Sequence, residues 1–599
     1  MEVMKPIPTR DIPRGNAWLY EVKYDGYRCT LQWQKESIQL RSKNHNDLSK
    51  QFPEIITACL QVQDQMESYL PLMLDGELVI LNQPYQANFE WMQKRARMQT
   101  EASIRSASKE RSACLMAFDI LQEQGNALLS TPLEERKNIL KTRLSHQLFK
   151  DKIMYVPSYS DPDQLWENIF THLGEGMIAK RKHSTYKQGK QHQDWYKIKN
   201  WRSISGFLTA YDGDNDYFQV GVYKNNHIIS IGKCKHGLSQ KDFSIVKQLF
   251  QTKGKLENKT YTLPPAICAT IHSLDLYKQE LREPAFQKIL AHARPEEMTW
   301  KKLEFAQAMF PKEIDITNAD KLFWEGINYT KADLLLHIRQ IAPYMLPFLQ
   351  QRALTIIRAP DGVEGEHFFQ KHLPSYAPPF MARQTHQGKE IITCETLKDL
   401  IWLTNHGTIE FHTPFQSLTA RTPEEIVFDL DPPNRDRFDL AIHAALNMKH
   451  VFDELQLTSF VKTSGNKGLQ IYIPIPSGSM TYKQTALFTE AIARTLENAF
   501  PALFTTERLK EKRKGRLYID YVQHGKGKTI ITPYSPRKTA EATIAMPLYW
   551  EELTNDLSPK SFTIKNAVEL VKQRGCPWRA YEAVKKSQNL TEILTFLGT

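Results

Sequence analysis

Between residues 17 and 300, apolar residues alternate or run in short blocks bounded by Gly, Asp and Asn, as in AWLYEVKYDGYRCTLQWQ, YLPLMLDGELVIL and EGMIAKR. After residue 313 the pattern changes. Long helical stretches, RFDLAIHAALNMKHVFDELQ and YKQTALFTEAIARTLENAF, now separate strand-like EEIVFDLDP, TSFVKTSGNKGLQIYIPI and RLYIDYVQ. A chain of 599 residues that changes its period part-way exceeds what one core can hold. We expect an α+β multidomain protein. Residues 1–200 read as an α+β domain and 301–312, where periodicity fades, as a linker. Residues 201–300 read as a small barrel of the OB type, with short strands FLTAYD, YFQVGVYK and HIISIGK around a helix-like SQKDFSIVKQLFQ. Residues 313–599 form a second α/β unit.

Charge narrows the function classes. With 78 Lys+Arg against 67 Asp+Glu the chain carries a formal charge of +11, which favours polyanions, nucleic acid first, over a merely solvated basic surface. The 7 cysteines are scattered without a CxxC pair, so neither a disulfide framework nor a cysteine zinc site is encoded. MEVMKPIPTRDIPRG has no apolar targeting core, and no apolar run reaches the roughly 20 residues that span a bilayer. We expect a reducing, cytoplasmic location and no membrane partner.

The string EVKYDGYR places Lys23, Asp25, Gly26 and Arg28 at the end of a strand. A lysine attacks phosphorus only as the free amine, so its pKa must fall through burial or neighbouring cations. In DWYKIKN, Lys197 and Lys199 share one strand face and could supply that charge, although WxKxK alone reads as a solvated edge strand. Glu77 in LDGELVIL and Glu175 in GEGMIAK likewise read alone as turn acids. Taken in order, KYDGYR, LRSKN, LDGELV, MAFD, EGMIAK and WYKIK resemble the motif series of covalent nucleotidyltransferases, specifically ATP-dependent DNA ligases, over about residues 15–300. The resemblance implies an adenylyltransferase domain followed by an OB-fold barrel. It implies that Lys23 carries AMP, Arg28 and Lys43 touch ATP or the nicked strand, and Glu77 meets the ribose. It further implies that Phe118 stacks on adenine, Glu175 serves a metal, and Lys197 with Lys199 grip the α-phosphate. Two departures stand out: Lys43 replaces the usual arginine after Ser42, and residues 289–292 (ILAH) replace the basic and acidic pair of the final motif, where Lys288 or Arg294 is the substitute.

In EEIVFDLDPP, Asp429 and Asp431 lie two apart on a strand, so both carboxylates face one side and can share metal ions; Asp520 in RLYIDYV adds a third acid. A DxDPP turn ending an edge strand is the plainer alternative. Between these acids, TSGNKGLQ offers backbone amides and an ammonium to a triphosphate. From 313 to 599 the segments ITNADKLFW, EGEHFFQKH, IVFDLDPP, VKTSGNKGL, RLYIDYV and TPYSPR resemble the polymerase domain of bacterial ligase D, in the archaeo-eukaryotic primase superfamily. That resemblance implies Asp429, Asp431 and Asp520 as metal ligands, with Ser464, Lys467 and Arg537 around the nucleotide. Gln470 stands where the family has a histidine on the triphosphate.

Together the halves imply ligase D of the ligase-first kind. Such an enzyme joins double-strand breaks by filling gaps and sealing them, using ATP, nucleoside triphosphates and Mg²⁺ or Mn²⁺. Its partners are DNA ends, nicks and gaps with a 5′-phosphate, and the bacterial Ku end-binding protein. In EGEHFFQKH, Lys371 is the candidate for the 5′-phosphate and Phe368 or Phe369 the stacking platform, against an amphipathic edge with buried rings. With both large regions assigned, no third phosphoesterase module is expected. The rivals are a primer-making primase fused to a ligase and a non-catalytic end-bridging scaffold.

Overall fold

The alternating runs of the first 200 residues pair into two sheets. One orders Lys5–Pro8, Gln191–Lys199, Gly176–Arg181 and Trp18–Val22; the other orders Ile153–Tyr155, Cys114–Glu123, Leu72–Val79, Tyr27–Trp33 and Ile38–Ser42, with Asn126–Ala127 appended. Period-two alternation explains the layering. Cys29, Leu31 and Trp33 point into one core with Ile55 and Cys59 of helix Pro53–Gln61, while Met116 and Phe118 point the other way, toward Val22, Met177 and Trp195 of the first sheet. The chain crosses from one sheet to the other through residues 23–26, between Trp18–Val22 and Tyr27–Trp33.

Residues 202–290 curl into the expected barrel. The sheet runs His227–Cys234, Tyr217–Lys224, Arg202–Asp212, Thr260–Ser273 and Lys255–Glu257, with Ala285–Leu290 on the far side of Thr260–Ser273. The Phe286 amide closes the curl by donating to the His236 carbonyl at 2.7 Å. Helix Gln240–Lys253, capped by the Ser239 side chain, buries Val246 and Phe250 against Phe218 and Tyr211. The stretch read as a linker is structured. Helix Trp300–Ala308 starts at a Thr299 cap and sinks Leu303 into the barrel core. With Leu303 and Ala308 its buried positions, the apolar stripe is too sparse to show as a period.

The second unit also has two main sheets. A six-stranded one orders Phe504–Thr505, Leu517–Asp520, Glu425–Asp431, Leu469–Pro474, Phe460–Thr463 and Pro547–Leu548; a four-stranded one orders Phe368–Gln370, Thr355–Arg358, Thr408–Pro414 and Thr529–Ile531. Helices Phe438–Glu454 and Tyr482–Ala499 bury Phe452 and Phe488 against Phe428 of the central strand. A C-terminal segment completes the unit: Trp578 and Tyr581 stack at 5.2 Å and pack on Val427, Phe460 and Tyr472. The Tyr581 hydroxyl donates to Glu425 at 2.6 Å, and Arg352 pairs with the same carboxylate at 2.8 Å, so this acid is buried with its charge met.

This computed structural model describes residues 2–144, 148–386 and 388–598, and its chain divides into units Met1–Phe310 and Pro311–Thr599. None of the 7 cysteines is in a disulfide; Cys576 is half-buried with its sulfur 2.9 Å from the Tyr534 hydroxyl, and the others are buried. Among the described residues no helix is long and apolar enough to cross a membrane.

Candidate functional site

In the first unit, strand ends bring the predicted residues together. Lys23 follows Trp18–Val22, Glu175 precedes Gly176–Arg181, and Lys199 ends Gln191–Lys199, three neighbouring strands of one sheet. Gly176 lies opposite Lys199, and the Lys23 amide donates to the Gly176 carbonyl at 2.8 Å. Lys23 Nζ donates to Glu175 Oε2 at 2.5 Å.

The electrostatics differ from the sequence expectation. Burial works to lower Lys23, but Glu175, then Glu77 and Asp25, outweigh it and hold the amine above its ordinary value. Lys197 is the residue that falls, through burial and then the charges of Lys199 and Lys23. Burial raises the Glu175 carboxyl despite Lys23, and raises Glu77 to about 7 despite Arg28 and Lys23. Lys23 therefore rests as an ammonium beside a carboxylate that ionises reluctantly, and that carboxylate is its nearest proton acceptor.

Two expected nucleotide contacts are committed elsewhere. Arg28 forms a bidentate pair with Asp75, 2.6 Å for each bond, and its guanidinium lies 4.4 Å from the centroid of Phe118. Phe118 is 9% exposed and also carries Lys180 at 4.2 Å, so cations sit over its ring where adenine was expected. Lys43 lies exposed in the turn after Ile38–Ser42.

Sequence reasoning missed the barrel's contribution. Arg282 reaches Asp25 with contacts of 2.7 and 3.2 Å, meets Asp275 at 3.1 Å and packs on the Phe89 ring at 4.3 Å. Next to it, Glu283 pairs with Lys199. Burial opposes ionisation of Glu283, yet Lys199, then Lys23 and Arg282, hold it below the usual carboxylate range. This carboxylate thus lies in the cationic cradle assigned to phosphate. The LREP string gave the only sequence signal.

In the second unit Asp429 lies opposite Asp520 on the adjacent strand, with Asp431 two residues on. Burial, and then Asp431 and Asp520, raise Asp429 to about 6 against a hydrogen bond from Gln470. Asp431 is engaged by Lys467 at 2.9 Å and Arg513 at 3.1 Å, while Asp520 accepts from the Gln523 amide at 2.9 Å and the Tyr518 hydroxyl at 3.1 Å. Among the described residues no three His, Cys, Asp or Glu side chains are gathered as a ready metal cage. The donor set still suits a divalent ion: hard carboxylate oxygens whose mutual repulsion a cation would relieve.

The TSGNKG loop is fixed from within. Ser464 Oγ accepts from the Gly468 amide at 3.1 Å and the Asn466 amide at 3.3 Å, Gly465 turns with φ +71°, and Lys467 donates to the Pro432 carbonyl at 2.7 Å. Gln470, expected beside a triphosphate, is instead 4% exposed between Lys462 and Asp429. Arg537 meets Glu410 at 3.3 Å, and Glu410 also accepts from His412 at 2.9 Å. Lys462, Glu410, His412 and Arg513 were missed, though TIEFHTP does place Glu410 and His412 on one strand face. Phe368 and Phe369 are 49% and 71% exposed, which removes the buried-ring alternative, and Lys371 follows them, exposed.

Comparison with known proteins agrees with this division. The family model described as ATP dependent DNA ligase domain matches residues 7–199, and that of the LigD primase-polymerase domain matches residues 330–578. The bifunctional non-homologous end joining protein LigD of Bacillus subtilis (strain 168) is 38% identical over 99% of this chain and 98% of its own length. The multifunctional LigD of Pseudomonas aeruginosa is 22% identical over 96% of this chain and 71% of its own length. A solved polymerase domain of Mycobacterium tuberculosis ligase D in complex with DNA is 27% identical, covering 46% of this chain and 99% of that one, with a TM-score of 0.43. The chain belongs to the LigD family of non-homologous end joining proteins, a bifunctional enzyme with an ATP-dependent DNA ligase domain and a primase-polymerase domain.

Proposed function

We propose that Lys23 is the nucleophile that takes AMP from ATP, and that Asp429, Asp431 and Asp520 are the metal ligands of nucleotidyl transfer to a primer. The observation that carries this reading is the convergence of Lys23, Glu175 and Lys199 on adjoining strand ends. Lys23 sheds its proton through Glu175 to solvent and attacks the α-phosphorus; the new N–P bond forms as the bond to pyrophosphate breaks. AMP then moves to a DNA 5′-phosphate, and attack by the neighbouring 3′-hydroxyl expels it and seals the strand. Lys197 and Lys199 hold phosphate oxygens once Lys199 leaves Glu283. Glu77 meets the ribose, and Lys43 lies toward the nicked strand.

In the second unit, Ser464 and Lys467 face the incoming nucleotide with Arg537. A divalent ion, Mg²⁺ or Mn²⁺, held by the three aspartates there and by Glu175 in the ligase unit, would supply positive charge to the triphosphate. The residues present fit such an ion if Asp431 releases Lys467 or Arg513. Double-stranded DNA ends, nicks and gaps are the substrates, Ku the protein partner, and the cytoplasm, at the nucleoid, the location. Phe368 or Phe369 stacks on an exposed base and Lys371 selects the 5′-phosphate by charge.

One assay tests the whole reading: extension and sealing of a gapped duplex with α-labelled ATP, nucleotides and Mg²⁺ or Mn²⁺. Covalent label on the protein, filled gap and sealed product are expected, with the label lost in Lys23→Ala. Weaker binding of Lys371→Ala to a 5′-phosphorylated gap, with binding to the 5′-hydroxyl gap unchanged, is also expected. A labelled Lys23→Ala chain refutes the nucleophile, and an unlabelled, inactive wild-type chain favours a scaffold.

A further inference from the structure

Strand pairing in the second unit lays residues across one rung of the sheet. Lys462 in Phe460–Thr463 lies opposite Gln470 in Leu469–Pro474, Gln470 opposite Asp429 in Glu425–Asp431, and Asp429 opposite Asp520 in Leu517–Asp520. Directly opposed residues of antiparallel strands project to the same face, so four polar side chains form one row. Part of that row is bonded end to end. Lys462 Nζ donates to Gln470 Oε1 at 2.5 Å, and Gln470 Nε2 donates to Asp429 Oδ1 at 3.1 Å.

The chemistry fixes the direction of this relay. Lys462 Nζ donates and the Asp429 carboxylate accepts, so the amide presents Oε1 to the lysine and Nε2 to the aspartate; flipping it would set Oε1 against the carboxylate and break that bond. Lys462 is 0% and Gln470 4% exposed, which removes water as a substitute partner. A buried lysine in an otherwise apolar strand is costly to keep, and the hydrogen bond to Gln470 is part of what it does there.

We propose that Gln470 is a positioning residue, locked by buried Lys462, that aims the Asp429 carboxylate into the metal site of the polymerase unit. The inference rests on the reading above that Asp429 binds metal. Gln470 grips one carboxylate oxygen, and without Lys462 the amide loses its anchor and lets Asp429 rotate. Outer partners of metal ligands of this kind typically matter by 10–100-fold in affinity.

The test is Mn²⁺ binding to the full chain without nucleotide, read by electron paramagnetic resonance of free Mn²⁺. The variants are Asp429→Asn, Gln470→Met, Lys462→Met and the Gln470→Met/Lys462→Met pair. Gln470→Asn joins them; it keeps an amide too short to span both partners and guards against misfolding of the methionine variants. Each single change in the relay should weaken binding by about 10-fold. The double variant should be no worse than Gln470→Met alone, because the lysine acts through the amide. In primer extension the KM for Mn²⁺ should rise while the KM for nucleotide holds. Wild-type Mn²⁺ binding in folded Gln470→Asn, or additive losses in the double variant, overturns the proposal while a weakened Asp429→Asn leaves the metal-site reading intact. Wild-type binding by Asp429→Asn brings down that reading and the inference with it.

Discussion

The Asp429 carboxyl sits at about 6 in the folded chain against an ordinary 3.8. Between those values the folded state keeps a proton that the unfolded state has released, so the stability this proton confers is present below about pH 4 and lost as pH rises through about 6. Two pH units correspond to roughly 3 kcal/mol, which solvent screening at this half-buried site trims to about 1–2 kcal/mol. Asp429→Asn cannot ionise. Thermal unfolding in chelator should therefore show the variant a few degrees more stable than wild type at pH 7.5 and equal to it at pH 4; equal midpoints at both values would show that the carboxylate is not strained. The spacing of Asp429 and Asp431 was legible because period two puts them on one face. Their cross-strand partners were not: Lys462 is a lone ionisable residue in an apolar run, and the pairing that buries it against Gln470 joins residues eight apart through a turn.

Turns and strand contacts carry the next level of constraint. Gly468 lies against the Leu430 carbonyl, and a Cβ there would collide with it, directly beside Asp429 and Asp431. Gly468→Ala should push Leu469–Pro474 off Glu425–Asp431 and lower primer extension by at least about 100-fold, with self-adenylylation unchanged; near-normal extension would mean the sheet yields there without moving the acids. In the ligase unit, the turn carrying Glu283 holds Lys199, which the proposed function gives to a phosphate. Glu283→Gln removes that competing anion, so the KM for ATP in self-adenylylation should fall about 3- to 10-fold. An unchanged or higher KM would make the pair a plain structural contact. Element types followed the apolar period in Tyr27–Trp33 and Phe438–Glu454. Helix Trp300–Ala308 escaped it because its buried positions are few, and the Glu283 turn escaped it because the contact spans 84 residues.

At the scale of the whole molecule, each unit has its own cores: Phe250 and Leu303 belong to the barrel, and Trp578 and Tyr472 to the second unit. We take the division near residue 310 as a functional seam. Lys23→Ala should lose labelling yet extend primers, and Asp429→Ala should do the reverse. Mixed in one tube, the two variants should fill and seal a gapped duplex that neither completes alone; failure of the mixture, with each single activity intact, would mean that hand-off needs both sites on one chain. The composition made two large units legible, whereas their seam was not, because Leu303 ties the supposed linker to the barrel. The seven thiols offer a way to watch that hand-off. None is exposed, and burial raises Cys29, Cys59, Cys234, Cys268, Cys394 and Cys576 above their ordinary values, which starves a maleimide of thiolate. A cysteine placed at exposed Leu60 and another at exposed Leu487 would then take a fluorophore pair without stripping the native thiols, and a gapped duplex passing from filling to sealing could be timed on single molecules.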